Sequence, residues 1–108
     1  MATGRLGNLS PVGSFGGSTP AYVVPTGYYT VPNISFTNTN ATSVTVRLAM
    51  STTTSPQTTE YIEYGTTIVA NGVFERTGLV MQAGMNLMAY CSATGVNVTV
   101  YGIETSTT

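Results

Sequence analysis

The strongest constraint on this chain is a two-residue rhythm. In Ser43–Ser51, Val44, Val46, Leu48 and Met50 alternate with Ser43, Thr45, Arg47 and Ala49. Near the C-terminus, Val96, Val98 and Val100 alternate with Asn97, Thr99 and Tyr101. Successive side chains of a strand point to opposite faces, so both stretches read as strands with one buried face. No stretch carries a 3.6-residue stripe, and no helix start signal precedes an apolar run.

Shorter strand signals fill the interval from Ala21 onward. They cover Ala21–Val24, Tyr28–Val31, Ile34–Thr37, Glu60–Tyr64, Thr66–Ala70, Val73–Thr77, Leu79–Met81 and Leu87–Ala93. Pro32 predicts a break or a sheet edge, and Gly65 a bulge. Asn71-Gly72 predicts a tight hairpin, and Thr94-Gly95 the turn of a C-terminal hairpin. The polar run Thr52–Thr59 reads as a loop. About eight strands at spacings near ten residues predict an all-β protein, a single antiparallel β-sandwich of jelly-roll-like or immunoglobulin-like order.

Residues 1–20 differ. They are rich in Gly, Ser, Thr, Asn and Pro, with isolated Leu6, Leu9, Val12 and Phe15. The reading is an extended N-terminal arm, able to reach about 65 Å at ~3.3 Å per residue, that docks on a partner. Residues 21–104 form the sandwich, and the polar stretch 105–108 frays as a C-terminal tail.

Composition decides which chemistry is open to such a sandwich. The chain of 108 residues has no His, Asp or Lys, and its seven charges are Arg5, Arg47, Arg76, Glu60, Glu63, Glu75 and Glu104. General acid–base catalysis and metal sites draw on the missing residue types. Glu60 and Glu63 are the nearest thing to a carboxylate pair. At i and i+3 on a strand they fall on opposite faces about 10 Å apart, which does not suit glycoside hydrolysis. No loop gathers the oxygens calcium needs. The expectation is a protein without catalytic residues, metal or cofactor.

Charged residues make up 6% of the chain, against an ordinary ~25%. Little repulsion separates two copies, so the chain reads as one that lives in an assembly. A net charge of −1 without a basic stripe argues against nucleic acid. No apolar run approaches the ~18 residues of a membrane span, and the first residues lack the apolar stretch of a secretion signal. Synthesis in a reducing cytoplasm is expected. There the Asn-X-Ser/Thr sequons at Asn8, Asn33, Asn40 and Asn97 stay bare. Cys91, alone in the apolar run Leu87–Ala93, reads as a small buried side chain.

The side chains that fit contact with a partner are Arg5, Leu6, Leu9 and Phe15 in the arm, together with Tyr28, Tyr29, Tyr61 and Arg76. Tyr combines area with a hydroxyl and is enriched at interfaces. Glu75 and Arg76 are adjacent on a strand and so face opposite ways, leaving Arg76 to pair with Glu63 or to meet a partner.

Several stretches are more specific than composition. They are VTVRLA from Val44, YIEY from Tyr61, NGVFERTG from Asn71, the Ala83-Gly84 turn and VTVYGIE from Val98, after the opening MATGRLG. As a set they resemble small virion structural proteins of tailed bacteriophages, notably phages of aquatic bacteria. The resemblance implies a capsid decoration or cement protein that binds itself, in a small oligomer such as a trimer, and other virion proteins such as the major capsid protein. It equally implies a tail, neck or fibre component, located in a virion assembled in the host cytoplasm. A carbohydrate-binding adhesion module using exposed tyrosines is the alternative of a different class.

Overall fold

The computed structural model describes residues 3–17 and 19–107. Eight strands run in chain order: β1 (Thr3–Leu9), β2 (Tyr22–Val23), β3 (Tyr28–Asn38), β4 (Val44–Ser51), β5 (Tyr61–Ile68), β6 (Val73–Arg76), β7 (Asn86–Cys91) and β8 (Val96–Ser106). A 3-10 turn, Thr58–Glu60, precedes β5. The strands form two antiparallel four-stranded sheets that pack face to face, in the orders β1-β8-β3-β6 and β2-β7-β4-β5. The expected all-β sandwich is what the chain forms.

The pairings have a simple rule. β1 pairs with β8, β2 with β7, β3 with β6, and β4 with β5. This is the ladder of one long hairpin whose tip is β4–β5, rolled so that β8 also meets β3 and β7 also meets β4. That order is the jelly roll of two Greek keys, which resolves the choice from the immunoglobulin order. It also corrects two expected hairpins. Asn71 does adopt a positive φ of 58° and Gly72 N–H bonds to Val69 O at 2.9 Å, but this turn carries the chain from β5 in one sheet to β6 in the other. The turn at Thr94-Gly95 likewise crosses between sheets, from β7 to β8.

The inward faces are those the rhythm predicts. Val46 and Leu48 of β4, Ile34 and Phe36 of β3, and Val96, Val98 and Val100 of β8 are fully buried. They share one core with Leu87 and Cys91 of β7. Cys91 is free, and burial pushes its thiol pKa up. Burial of a Val or Leu side chain contributes about 1.5–3 kcal/mol, so this double row supplies most of the drive to fold. Asn38, fully buried at the end of β3, donates from its amide nitrogen to the carbonyls of Thr42, Ile68 and Val69 and accepts from the Asn40 N–H. It thereby ties the β3–β4 and β5–β6 crossings together.

One expected break is absent. β3 passes through Pro32 without interruption. Thr30 exchanges backbone hydrogen bonds with Met81 on the β6 side, and Pro32, two residues on, points its missing N–H the same way. Because β6 pairs only with Ile34–Thr37, no ladder bond is lost there. Opposite Pro32 lies Gly102, where a Cβ would stand 2.7 Å from the Val31 carbonyl oxygen. Leu79–Met81, expected as a strand, contributes only the Thr30–Met81 bridge.

The largest correction concerns the arm. Thr3–Leu9 is not an extended arm reaching for a partner; it is the edge strand β1, paired with β8. Leu6 and Leu9 pack against the core. Asn8 donates to the Val98 carbonyl at 3.1 Å, and Ser10 to Asn97 Oδ1 at 2.8 Å. Where β1 passes β2, a Cβ on Gly7 would fall 2.0 Å from the Ala21 carbonyl oxygen, so the approach needs glycine. The chain then runs along β7, with Ser14 and Phe15 donating to the carbonyls of Ser92 and Cys91. The tail expectation also shortens, because β8 extends to Ser106 and Thr107 N–H bonds to Gly27 O at 3.0 Å.

The face assignment of β4 predicts a clear asymmetry. Leu48→Ala is expected to cost about 2–5 kcal/mol of stability, and Thr45→Ala on the opposite face less than about 1 kcal/mol. Denaturant melts of both variants measure this, and equal losses would contradict the inward placement of Leu48.

Candidate functional site: an arginine between aromatic rings

The outward face of the β2-β7-β4-β5 sheet is built by two bulges in β5. Its register against β4 slips at Gly65, which has φ +99°, and again at Ile62. Without the second slip, Tyr61 and Tyr64 would point to opposite faces. With it, both stand outward, Tyr64 opposite Arg47 and Tyr61 opposite Ala49, with their rings edge to face at 4.9 Å. On its other flank Arg47 lies opposite Tyr90 of β7, whose ring is 6.3 Å from that of Tyr61. Met88, Ala49 and Tyr90 are buried here under Tyr61 and Phe15, so this outer face carries a second, smaller apolar cluster.

Phe15 arrives from the segment after β1. Ser14 and Phe15 hold positive φ values of 61° and 54°. That strained turn is fixed by their backbone bonds to β7, and it lays the Phe15 ring over the sheet. The Arg47 guanidinium carbon sits 3.8 Å from the Phe15 ring centre and 4.0 Å from that of Tyr64. A planar cation is thus held between two π faces. Its buried Nε has no hydrogen-bond partner, and among the described residues no carboxylate pairs with it. Tyr64 is 62% exposed, so the platform opens to solvent on that side.

Five of the other six charges are committed within the chain. Arg76 and Glu63 form an ion pair, which joins β6 of one sheet to β5 of the other. Both point toward the interior at the open seam of the sandwich, Arg76 beside Ile34 and Glu63 beside Leu48. Thr66 also donates to Glu63 at 2.6 Å. Glu75 faces the other way, as expected of its neighbour on the strand, and accepts from Tyr101 Oη at 2.9 Å. Glu60 accepts from Ser51 Oγ and the Gln57 N–H, which hold its carboxyl below the ordinary range. Glu60 and Glu63 therefore serve separate structural bonds.

A further polar cluster is internal. Tyr22 Oη donates to the buried Glu104 carboxylate at 2.6 Å and lies 2.8 Å from Thr30 Oγ1, bonding β2 of one sheet to β3 and β8 of the other. Burial, with help from Glu104, pushes the Tyr22 pKa up to about 12.

Among the residues expected to meet a partner, Phe15 and Tyr61 belong to the platform. Leu6, Leu9 and Tyr28 pack against the main core, and Arg76 is held by Glu63. Arg5 and Tyr29 are exposed on the outer face of the opposite sheet. Beside Tyr29, Val31 and Ile103 are directly paired and also exposed. Arg47, Tyr64 and Tyr90 were not singled out by the sequence. The signal was an arginine on the polar face of the clearest strand, with an aromatic-rich strand beside it.

Among the described residues no group of three or more His, Cys, Asp or Glu side chains could hold a metal ion, and no helix is long and apolar enough to cross a membrane. No family model, curated protein or solved structure matches this chain.

The Tyr22–Glu104 bond predicts a stability decline at high pH. With a folded pKa near 12 against an ordinary 10, the folded state keeps a proton that the unfolded state loses. Stability is therefore flat in this respect below pH 10 and falls by about 2–3 kcal/mol as pH rises to 12. Urea melts across that range should show the decline, and Tyr22→Phe should flatten most of it. An unchanged slope in Tyr22→Phe would contradict the assignment.

Proposed function

We propose that this chain is a structural protein of a bacteriophage particle, a decoration or cement protein that stabilises the head through subunit contacts. The observation that carries the reading is the character of the two outer faces. One presents Tyr29, Val31 and Ile103; the other presents the aromatic platform around Arg47. Exposed apolar and aromatic groups on a nearly uncharged surface favour burial against other proteins. Its partners are copies of itself and neighbouring virion proteins such as the major capsid protein.

Two further considerations support it. The phage-like motifs VTVRLA, YIEY and NGVFERTG run through β4, β5 and β6. The jelly-roll order is used by viral capsid proteins, as well as by lectins and cupins. The second point is analogy at the level of fold, and fold alone does not fix function. In this role the chain acts mechanically. Each copy buries its outward side chains on neighbours, and repetition around a shell multiplies small contacts into resistance to internal pressure.

Quantitative mass spectrometry of purified particles, with the chain located by electron cryo-microscopy, tests the reading. Hundreds of copies on the head are expected. A few or tens of copies at the tail or neck would assign it there instead, and absence from particles would overturn the virion reading.

A further inference from the structure

We propose that the Phe15–Arg47–Tyr64 stack is a receptor for a single carboxylate presented by a partner protein. Both faces of the guanidinium are covered by rings at 3.8 and 4.0 Å, and its Nε is buried. The part left for a ligand is the edge bearing the two terminal nitrogens, and Arg47 is half-buried with that cation on the open side of the sheet. Stacking fixes the plane of the fork, and a fixed fork matches the two oxygens of a carboxylate. The charge at this edge has no counter-ion among the described residues.

The occupant follows from what surrounds the fork. The chain's four glutamates each hold a partner of their own: Glu63 has Arg76, Glu60 has Ser51, Glu75 has Tyr101 and Glu104 has Tyr22. No glutamate of a second copy is therefore idle, and the donor sought is a different protein. Nucleic acid and other polyphosphates are bound by clusters of cations, whereas this site has one in a chain of net charge −1. The walls are aromatic, formed by Phe15, Tyr61 and Tyr64, and suit an apolar stem that ends in a carboxylate. A glutamate side chain on a neighbouring protein has that chemistry. This names the partner chemistry of the contact role proposed above, and rests on that reading for the occupant's being a virion protein.

The test uses the isolated full chain, so its outcome is independent of where the protein sits in a particle. The chain's three arginines give three side-chain Nε–H resonances in a 15N-labelled sample. The probe is the capped tripeptide acetyl-Ala-Glu-Ala-amide, with the Ala-Gln-Ala counterpart and inorganic phosphate as comparisons. The Arg47 resonance should shift saturably with the glutamate peptide, with an affinity about tenfold above that of exposed Arg5. Tyr64→Leu, which keeps the charge and removes one wall, should weaken this several-fold. The proposal is overturned if the Arg47 resonance tracks that of Arg5, or if the glutamine peptide or phosphate shifts it equally.

Discussion

The pairing of the first strand with the last is the interaction on which the rest of the molecule depends. β8 lies between β1 and β3, and its inward valines Val96, Val98 and Val100 are fully buried. Without β1, β8 would be an edge strand and Leu6 and Leu9 would leave the core. The rolled hairpin pairs strands from its tip at β4–β5 outward, so β1·β8 is the last rung and the one that brings the ends of the fold together. Closing it also delivers Phe15 to the opposite sheet. The candidate site thus exists only because the N-terminal segment crosses from one sheet to the other.

Sandwiches have two open seams, and this chain closes them by different means. At the β1/β2 seam the backbones come so close that residue 7 must be glycine. At the β5/β6 seam they stand farther apart, and Arg76 with Glu63 spans the gap. The pair is partly exposed, with side chains 40% and 23% accessible. Such a pair contributes about 0–1 kcal/mol, so its value is in aligning the two edges more than in stability. A chain with seven charges uses most of them for such local duties. Arg47 is held differently, by aromatic faces in place of an acid.

What was legible in the sequence follows from where side chains alternate. β4 and β8 alternate cleanly, and their inward faces are read directly. β1 is hidden because Gly4 and Gly7 carry no side chain and the register slips between Arg5 and Gly7, which resets the alternation. The crossings at Asn71-Gly72 and Thr94-Gly95 misled because a turn that accepts positive φ serves a hairpin and a sheet-to-sheet crossing alike. Gly65 was legible as a bulge; its consequence, two tyrosines three apart on one face, needed the second slip at Ile62 as well. Phe15 above Arg47 is a contact between residues 32 positions apart, made by a segment without periodicity. No local pattern encodes it.

The central claim is that residues 3–15 belong to the cooperative fold. Native-state hydrogen exchange measures this directly, through the backbone amides of β1 and of Phe15, which bonds to the Cys91 carbonyl at 2.9 Å. If the segment is part of the sandwich, the Phe15 amide and the paired β1 amides exchange by the same global opening as the amides of β8. Exchange of these amides at the rate of a free chain, with β8 still protected, would contradict the account and return residues 3–15 to the status of an arm.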